Sequence, residues 1–595
     1  MKKIIVYLAL LIASLAHATS LPVQLLNPAS STAGQAVVSN GPASAPGWAN
    51  VPLASIATGN VLANVSGSAA APVATTPSGL FNAICSSTVG QAWVRLTGGF
   101  GCTALGYANP VWWGADPTGA ANSASAITSA LAASNYVLFP PGNFLANSNI
   151  AYAITTTNTG ITFQGSGSNV TTLTFPTGVN GITITTKDYS SSVHIRGLTL
   201  ATQGVGTSTG LTITQGASSI SNEANTAQSD ITDVTFIGAT GYSTASTEYW
   251  NVGTSVFAVS NIAYISDYWG GAIGAGTGLG TGVSISGTSS TLASVVHNFV
   301  GCNFLFQNVG LSMGLWAQGV SVTATNFEED NQGIVVPSSA SAGVVQLAVG
   351  NSQFSTYSND ISVAGVLTNA SITNNLFYVG GSNSGVVINN ASATDYNISN
   401  NQFLPGFSPA SPNGVAVLAA GAGSNIITGD IFNSLGTGIS LSSSANGWGI
   451  GENSFAGNSV NFSNTSTSYV LKNGANVSGN GCGAGLAAAT TYYLGMCLAT
   501  TTESSTWMIA SQPLTAGNLS IKLTSAPGGS ITTTATLRVN GASTGVTCTI
   551  TGSASACADT THIVGLALGN EYDVQIATGS GAATTAASWS LTLAP

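Results

Sequence analysis

A phenylalanine returns at a nearly regular interval through the middle of the chain, and this repeat constrains the fold more than any other feature. Its positions are Phe304, Phe327, Phe354, Phe377, Phe403, Phe432 and Phe455. Neighbouring members are 23 to 29 residues apart, which is typical of one coil in a solenoid. Each Phe lies in a short β-rich run broken by Asn, Gly or Ser, such as NNLFYV or NNQFLP. Because one coil cannot bury its own apolar face, we expect the rings to stack at a strand spacing of about 4.8 Å.

Charged residues make up only 4% of the chain, so other groups must keep it soluble. Ser, Thr, Asn and 73 Gly residues are abundant instead, and their hydroxyl and amide groups hydrogen-bond to water or to sugars. The formal net charge is −10, and Lys2 and Lys3 are two of only eight basic residues. Nucleic acid is therefore not expected as a partner, because phosphate binding needs clustered Lys and Arg. Acidic polysaccharides are disfavoured for the same reason.

The first 18 residues have the pattern of a cleaved signal peptide. Lys2 and Lys3 precede an apolar run that ends with small residues at Ala16 and Ala18. This run is shorter than the ~20 residues that cross a bilayer, so a retained membrane anchor is the weaker alternative. No later segment is expected to span a membrane. These features predict a secreted, extracellular protein.

Residues 19–108 form a low-complexity region rich in Gly, Ala and Ser, which we interpret as an attachment region. The region is similar to the N-terminal adaptor stretches of phage tail fibres. That similarity implies the alternative location, a phage virion tail.

Seven cysteines fit an oxidising compartment. Proximity suggests the disulfide pairs Cys85–Cys102, Cys482–Cys497 and Cys548–Cys557. Spacing does not fix connectivity, and free buried thiols are the alternative. Cys302 is left over, and its place beside Phe304 favours a small apolar filler in the core.

A segment before the repeats carries the most family-specific pattern in the chain. Asn122 or Ser123 precedes a predicted helix in which Ile127, Ala130 and Leu131 share one face. A strand and a Pro-Pro-Gly turn follow. The pattern matches at Gly114, Ala115, Asp116, Ala126, Ile127, Ala130, Leu131, Val137, Phe139, Pro140, Pro141 and Gly142.

This segment resembles the entry motif of pectate-lyase-like right-handed β-helix proteins, a family that includes phage tailspikes and polysaccharide depolymerases. The resemblance implies an all-β fold, with a right-handed parallel β-helix (solenoid) over residues 109–480 and an N-terminal capping helix. It also implies a homotrimer, since trimers are common in the family. The acidic residues that usually precede the helix are missing here, apart from Asp116. The motif contains no catalytic residue, so it leaves activity open.

Residues 481–595 change to longer alternating strands, such as LSIKLTSA and YDVQIATG, which predict a C-terminal β-sandwich. Trimerisation or carbohydrate binding is one interpretation of this domain. A simple cap for the end of the solenoid is the other.

The acidic run Glu328-Glu329-Asp330 follows one of the repeated Phe residues and is the candidate catalytic group. Residues two apart on a strand lie about 6.6 Å apart on one face, so Glu328 and Asp330 match the separation of an inverting glycosidase pair. If the strand continued, however, Glu329 would point inward, so the chain must turn here. Glu329 and Asp360 are therefore substitutes, because Asp360 falls beside Gly333 when successive coils are aligned. The alternative is a solvated acidic corner.

Four tryptophans are candidates for stacking on sugar rings. They are Trp250, Trp269, Trp316 and Trp448. Trp250 and Trp269 lie in a Gly-rich insertion and are predicted to be exposed, whereas core packing is favoured for Trp316.

No cofactor is required by these motifs, and calcium is a minor alternative. Asp230 and Asp233 bracket the start of one coil and offer oxygen ligands, but without EF-hand spacing.

These features together predict a polysaccharide-engaging protein that cleaves glycosidic bonds with paired carboxylates. The reaction would be that of a glycoside hydrolase or of a lyase-like depolymerase. The alternative is a non-catalytic adhesin or fibre that binds cell-surface glycans.

Overall fold

The protein was analysed as a computed structural model, which falls into two compact units, Met1–Leu105 and Gly106–Pro595. The residues that it describes are 35–38, 47–50, 60–63, 73–77, 79–80, 91–96, 99–216, 227–241, 247–274, 277–406, 411–419, 424–445, 447–465, 469–471, 475–480, 485–496, 498–511 and 513–594. The predicted signal peptide and the predicted pairs Cys85–Cys102 and Cys482–Cys497 lie outside the described residues or side chains. In the described ranges, none of the helices is both long and apolar enough to cross a membrane.

The first unit contains short antiparallel strand pairs. They are Gln35–Val38 with Gly47–Asn50, Val61–Ala63 with Val73–Thr75, and Gln91–Leu96 with Gly99–Ala104.

The second unit begins with a parallel β-solenoid whose coils each add strands to two long sheets. Sheet A has 12 strands. They are Ile150–Ala153, Ile182–Thr186, Thr209–Gln215, Val252–Phe257, Thr281–Ser286, Val309–Met313, Gln332–Val336, Ile361–Val363, Ser384–Ile388, Asn413–Val417, Thr437–Leu441 and Val460–Asn464. A small antiparallel hairpin, Ala272–Gly274 with Thr277–Leu279, directly precedes the sheet A strand Thr281–Ser286 in the chain.

The second sheet has 24 strands, which form two parallel columns on either side of a bend. Column B contains Tyr136–Leu138, Gly160–Gln164, Ile262–Ile265, Ser294–Val300, Ala317–Thr323, Val344–Gly350, Leu367–Thr373, Asn397–Ser399, Asn425–Thr428, Trp448–Ile450 and Tyr469–Leu471. Column C contains Thr118–Asn122, Gly142–Leu145, Thr171–Phe175, Tyr268–Gly270, Asn303–Leu305, Asn326–Glu328, Gln353–Ser355, Leu376–Val379, Gln402–Pro405, Ile431–Asn433 and Ser454–Ala456. Ser192–Thr202 and Ser229–Gly238 run through both columns. The prediction of a parallel β-helix is therefore confirmed.

The predicted Phe repeat forms a continuous column of stacked rings inside the solenoid. Successive centroids from Phe304 to Phe432 lie 4.7 to 4.9 Å apart, and Phe455 follows at 5.3 Å. Each Phe pairs in register with the next one. Glycines of sheet A make room for the rings: a Cβ on Gly310 would lie 2.6 Å from Cδ1 of Phe327. The stacking prediction is therefore confirmed.

A second internal column is polar and lies two residues before each repeated Phe from Phe327 onward. Its members are Thr325, Ser352, Asn375, Asn401, Asp430 and Asn453. The backbone N–H of each of the first five donates to the side-chain oxygen of the member in the following coil, at 2.7 to 3.2 Å. This polar ladder satisfies buried backbone donors at the bend between columns B and C.

The bend itself is made by one residue per coil in the left-handed backbone region. From the third coil onward these residues are Gly197, Asp233, Ser266, Gly301, Ala324, Asn351, Asn374, Asn400 and Gly429, with φ between 51° and 72°. Gly and Asn adopt this conformation at least cost, which explains their recurrence just before each Phe.

The helix Ala124–Ala133 lies beside the first coil, and a 3₁₀ helix, Pro110–Trp113, precedes it. Asn122 Oδ1 accepts a hydrogen bond from the N–H of Ala124 at 3.1 Å. The buried helix residues Ile127 and Leu131 belong to the same apolar core as the solenoid. The helix packs against the first strands of column B and sheet A, while its role as a cap stays a prediction.

Two antiparallel sheets follow the solenoid and enclose a core of their own. One sheet contains Ala475–Asn480, Ala587–Ala594, Leu514–Leu523 and Ala556–Leu566; the other contains Ala499–Thr500, Thr491–Leu494, Glu571–Thr578, Thr532–Val539, Ala542–Thr551 and Met508–Ile509. A short 3₁₀ helix, Glu503–Ser505, lies between strands. The strand Ala475–Asn480 already belongs to this region, six residues before the predicted boundary.

The sandwich touches the end of the solenoid through apolar residues. Ile563 and Ala594 join the same buried cluster as Phe455 and Phe462. A disulfide between Cys548 and Cys557 connects strands of the two sheets. Cys302, in contrast, is a free buried thiol.

Candidate functional site

The acidic run turns sharply, and this separates the predicted catalytic pair. Glu329 has a φ of 53°, so Glu328 stays exposed while Asp330 points inward and is 0% exposed. The backbone N–H of Gln307 donates to Asp330 Oδ1 at 2.7 Å. Burial raises the pKa of Asp330 well above its usual value, because a charge in this environment is poorly solvated. The prediction that Glu328 and Asp330 share one accessible face is therefore wrong.

Asp360 is also internal. Ile334 pairs with Ile361, so the predicted alignment of Asp360 with Gly333 is confirmed. Its carboxylate is 0% exposed and accepts hydrogen bonds from Oγ1 of Thr356 at 2.9 Å and from the Thr356 N–H at 3.2 Å. Burial raises its pKa well above normal. An enclosed carboxyl has no contact with a polysaccharide, so the catalytic role predicted for Asp360 is contradicted.

Glu328 and Glu329 are the accessible members of the predicted set. Glu329 is half-buried, and the hydroxyl of Tyr357 donates to its Oε2 at 3.3 Å. Glu328 lies on the outer face of the same strand as Asn326.

The tryptophans correct a second prediction, because three of them are buried. Trp269 stacks between Phe236 at 5.6 Å and Phe304 at 4.6 Å, and so occupies the Phe column. Trp250 is 3% exposed and donates from Nε1 to the Leu200 carbonyl. Glycines in the insertion admit these rings, since a Cβ on Gly253 would lie 2.5 Å from Trp269 Cδ1.

Trp448 and Trp316 complete the set. Trp448 is buried and packs edge-on against Tyr396 at 5.8 Å. Trp316 keeps some exposed surface and packs against Gly343, where an added Cβ would touch the indole. The exposure predicted for Trp250 and Trp269 is therefore wrong, and the two rings contribute to the core instead of a sugar platform.

The carboxylates considered for calcium are already engaged separately. Asp230 accepts hydrogen bonds from Arg196 and Thr232, and His194 Nδ1 lies 2.5 Å from its Oδ1. Asp233 instead accepts from the N–H and hydroxyl of Ser168. Among the described residues, no three His, Cys, Asp or Glu side chains are grouped to hold a metal. The calcium hypothesis therefore gains no support from the geometry.

An open groove of about 510 Å³ lies on the outer side of the bend between columns B and C. We call it the amide groove, after the side chains Asn326, Asn351, Gln353, Asn374, Asn400 and Gln402. Asn351, Asn374 and Asn400 are the left-handed bend residues, and the others begin strands of column C. None of the described residues that line it is charged.

The amide groove has unused hydrogen-bonding capacity. Asn326 Nδ2 donates to Asn303 Oδ1 in the neighbouring coil at 3.1 Å. The other five amides make no side-chain hydrogen bond with the described chain, although each offers two N–H donors and an acceptor oxygen. Repetition in successive coils places these groups about 4.8 Å apart along the axis. The groove is thus suited to an extended, uncharged ligand with many hydroxyl groups.

A family profile described as periplasmic copper-binding protein (NosD) matches residues 272–519, which are less than half of the chain. Copper favours His, Cys and Met ligands, yet His297 and Cys302 in this range are both buried. No group of three His, Cys, Asp or Glu side chains that could hold a metal ion occurs in the described part of this range. No curated protein sequence gives a significant match.

Several solved structures are similar at low sequence identity. The Dettilon tailspike protein is 12% identical, with a TM-score of 0.46, over 80% of this chain and 94% of that one. The A-module of the Azotobacter vinelandii mannuronan C-5 epimerase AlgE6 is 14% identical, with a TM-score of 0.38, over 61% and 98%. PfbA, a surface adhesin of Streptococcus pneumoniae, is 10% identical, with a TM-score of 0.33, over 61% and 93%. We draw nothing about activity from similarities at this level.

The groove was not predicted, although its signal is present in the sequence. Asn precedes the repeated Phe residues in runs such as NNLF and NNQF. The Asn three residues before Phe bends the chain and faces outward, as Asn374 does, whereas the next one, Asn375, enters the polar ladder. The Asn residues three places before each Phe, considered separately from those two places before, predict the outward-facing side chains of the amide groove.

Proposed function

We propose that the protein binds a neutral polysaccharide along the amide groove, outside the cell or on a virion surface, without cleaving it through the predicted carboxylate pair. The observation that carries this proposal is the row of exposed or half-buried amides with unused donors and acceptors. Sugar hydroxyl groups are their natural partners, since both can donate and accept. Clustered basic groups for an acidic chain are missing from the described groove lining.

The location is supported by sequence and by one covalent feature. The leader pattern predicts export, and the Cys548–Cys557 disulfide suits an oxidising compartment. The homotrimer implied by the family resemblance stays a prediction.

The experiment is affinity electrophoresis against neutral glucans, mannans and galactans, with alginate as an acidic comparison. We expect retardation by at least one neutral polymer. Gln353→Ala combined with Gln402→Ala should weaken this binding about tenfold, because two hydrogen bonds of about 0.5–1.5 kcal/mol each are lost. Both residues lie in extended strands, so the backbone tolerates the change.

Gln332→Ala is the control, because Gln332, like Gln353, is a half-buried amide at the start of a strand, but lies on sheet A. It should bind like the wild type. Unchanged affinity in the double variant, or a preference for alginate, would contradict the proposal. New reducing ends that disappear in Glu328→Gln would show that the bound polymer is also cleaved.

A further inference from the structure

Exposed aromatic side chains gather on the first coil, well away from the amide groove. Trp112 is 37% exposed and Tyr136 is 38% exposed. Tyr107 lies between them, with ring centroids 5.5 Å from Trp112 and 6.4 Å from Tyr136. Isolated exposed aromatics are ordinary, but a contiguous cluster on the outside of a rigid sheet is a feature of binding surfaces.

A hydrogen-bonded cluster of polar residues lies on the same face. Arg196 binds both carboxylate oxygens of Asp230, through Nε at 2.7 Å and Nη2 at 2.6 Å. His194 contacts the same carboxylate. These two hydrogen bonds fix one edge of the guanidinium, which leaves its Nη1 edge for a ligand. The Arg196 side chain is 44% exposed.

Strand register joins the two clusters into one surface. Tyr136 pairs with Thr162, Thr162 with His194, and His194 with Asp230, in successive strands of column B. Tyr136 and His194 are therefore about 10 Å apart, two strand spacings, on a common outer face. A sugar ring stacked on Tyr136 would therefore lie beside Thr162, His194 and Arg196, whose side chains could hydrogen-bond to its hydroxyl groups.

We propose that this aromatic face, formed by Tyr107, Trp112, Tyr136, His194 and Arg196, is a second carbohydrate-binding site that takes a neutral saccharide. The C–H face of a pyranose packs on Tyr136 and Trp112, as apolar groups pack on aromatic faces. Arg196 and His194 hydrogen-bond to the hydroxyl groups of the next unit. The charge of Arg196 is balanced by Asp230, so the face offers directed donors without net attraction for an acidic sugar.

This site is independent of the amide groove. Arg196 lies in the third coil, and the nearest groove residue on column C, Asn326, lies four coils further on. The two sites are therefore separated by about 20 Å along the axis. Either could bind without the other.

The test is hydroxyl-radical footprinting of the full chain with maltoheptaose, cellohexaose and mannohexaose, with tetragalacturonate as the acidic comparison. We expect at least one neutral oligosaccharide to protect Trp112 and Tyr136 from oxidation. Tyr136→Ala should weaken its binding about tenfold, and Tyr136→Trp should restore it, because stacking needs an aromatic ring rather than a phenol. Trp507→Ala, at a sandwich residue that is 39% exposed, should bind like the wild type.

The groove variant separates the two sites. Protection of Tyr136 should persist in the Gln353→Ala, Gln402→Ala double variant. Loss of that protection would mean a single continuous site and would overturn the proposal. Absence of protection by every neutral oligosaccharide, or equal affinity in Tyr136→Ala and wild type, would overturn it as well.

Discussion

Asp430 is an Asp at a position of the polar ladder where the neighbouring coils have Asn, and this difference changes the chemistry of the ladder. Its neighbours Asn401 and Asn453 donate from Nδ2 to the carbonyls of Ile372 and Ile427. Asp430 occupies the equivalent position, but its Oδ2 has no partner in the described chain. Burial raises its pKa to about 7. The ladder therefore holds a carboxyl group that stays mostly protonated below about pH 7.

This position predicts a stability that falls as the pH rises. An unfolded Asp titrates near pH 4, whereas the folded group titrates near 7. The folded state binds the extra proton between these values, so the contribution of Asp430 to stability should decline from about pH 4 to about pH 7. Asp430→Asn carries no charge at any pH, so it should raise the free energy of unfolding at pH 8 by roughly 4 kcal/mol, about 1.4 kcal/mol for each of the three pKa units, with little gain at pH 4.

Urea unfolding at the two pH values measures this effect. Asp395→Asn serves as the control, because Asp395 is exposed and lies outside the ladder. A lower stability of Asp430→Asn at pH 8 would show that the amide does not fit the ladder.

The column of stacked Phe rings makes a large contribution to the packing between successive coils of the solenoid. Phe354 is fully buried and stacks on Phe327 at 4.7 Å and on Phe377 at 4.9 Å. Phe354→Ala should lower the free energy of unfolding by about 3–5 kcal/mol, because it leaves a cavity between two rings. Phe354→Leu should cost less, since Leu173 and Leu200 occupy the same column in earlier coils.

Thermal and urea unfolding of both variants test this prediction. Equal stability of Phe354→Ala and the wild type would mean that the rings do not carry the packing energy of the coil. Because each coil contacts only its neighbours, the loss should be local, with hydrogen exchange accelerating first around Gln353–Ser355.

The disulfide acts within the sandwich. It links Ala542–Thr551 with Ala556–Leu566, which belong to different sheets. Reduction should destabilise the sandwich by about 2–3 kcal/mol, because the open chain gains conformational freedom. Calorimetry with and without reductant measures this shift, and the part of it that comes from this disulfide should be missing in Cys548→Ala combined with Cys557→Ala. A solenoid transition that moves equally would indicate that the two parts unfold together.

The architecture of the molecule could be predicted because its period is carried by one residue type. The Phe repeat gave the coil length and the stack, and alternating strands gave the antiparallel C-terminal region. The burial of Trp269 could not be predicted, because its Gly-rich insertion resembles a surface loop in sequence, although Trp269 pairs with Phe236 and Phe304 in register. A Trp that replaces Phe in a buried column cannot be recognised by its residue type alone.

The site was harder to predict than the fold. Inward and outward positions at a bend do not follow simple strand alternation, because a left-handed residue resets the pattern. Glu329 does this after Phe327 and sends Asp330 inside. The same conformation before Phe377 leaves Asn374 outside and Asn375 inside. Whether a single residue adopts the left-handed backbone conformation therefore decides which side chains are accessible to a ligand. The sequence gives only a weak indication of this conformation.

Each coil contributes one bend, so the length of the amide groove is proportional to the number of coils that carry an Asn at the bend. Gain or loss of a whole repeat would lengthen or shorten the surface offered to a polymer by one step of about 4.8 Å, while the chemistry of each remaining step stays the same. A change in repeat number would therefore fit the protein to a longer or shorter stretch of polymer without a change in the residues that contact each unit.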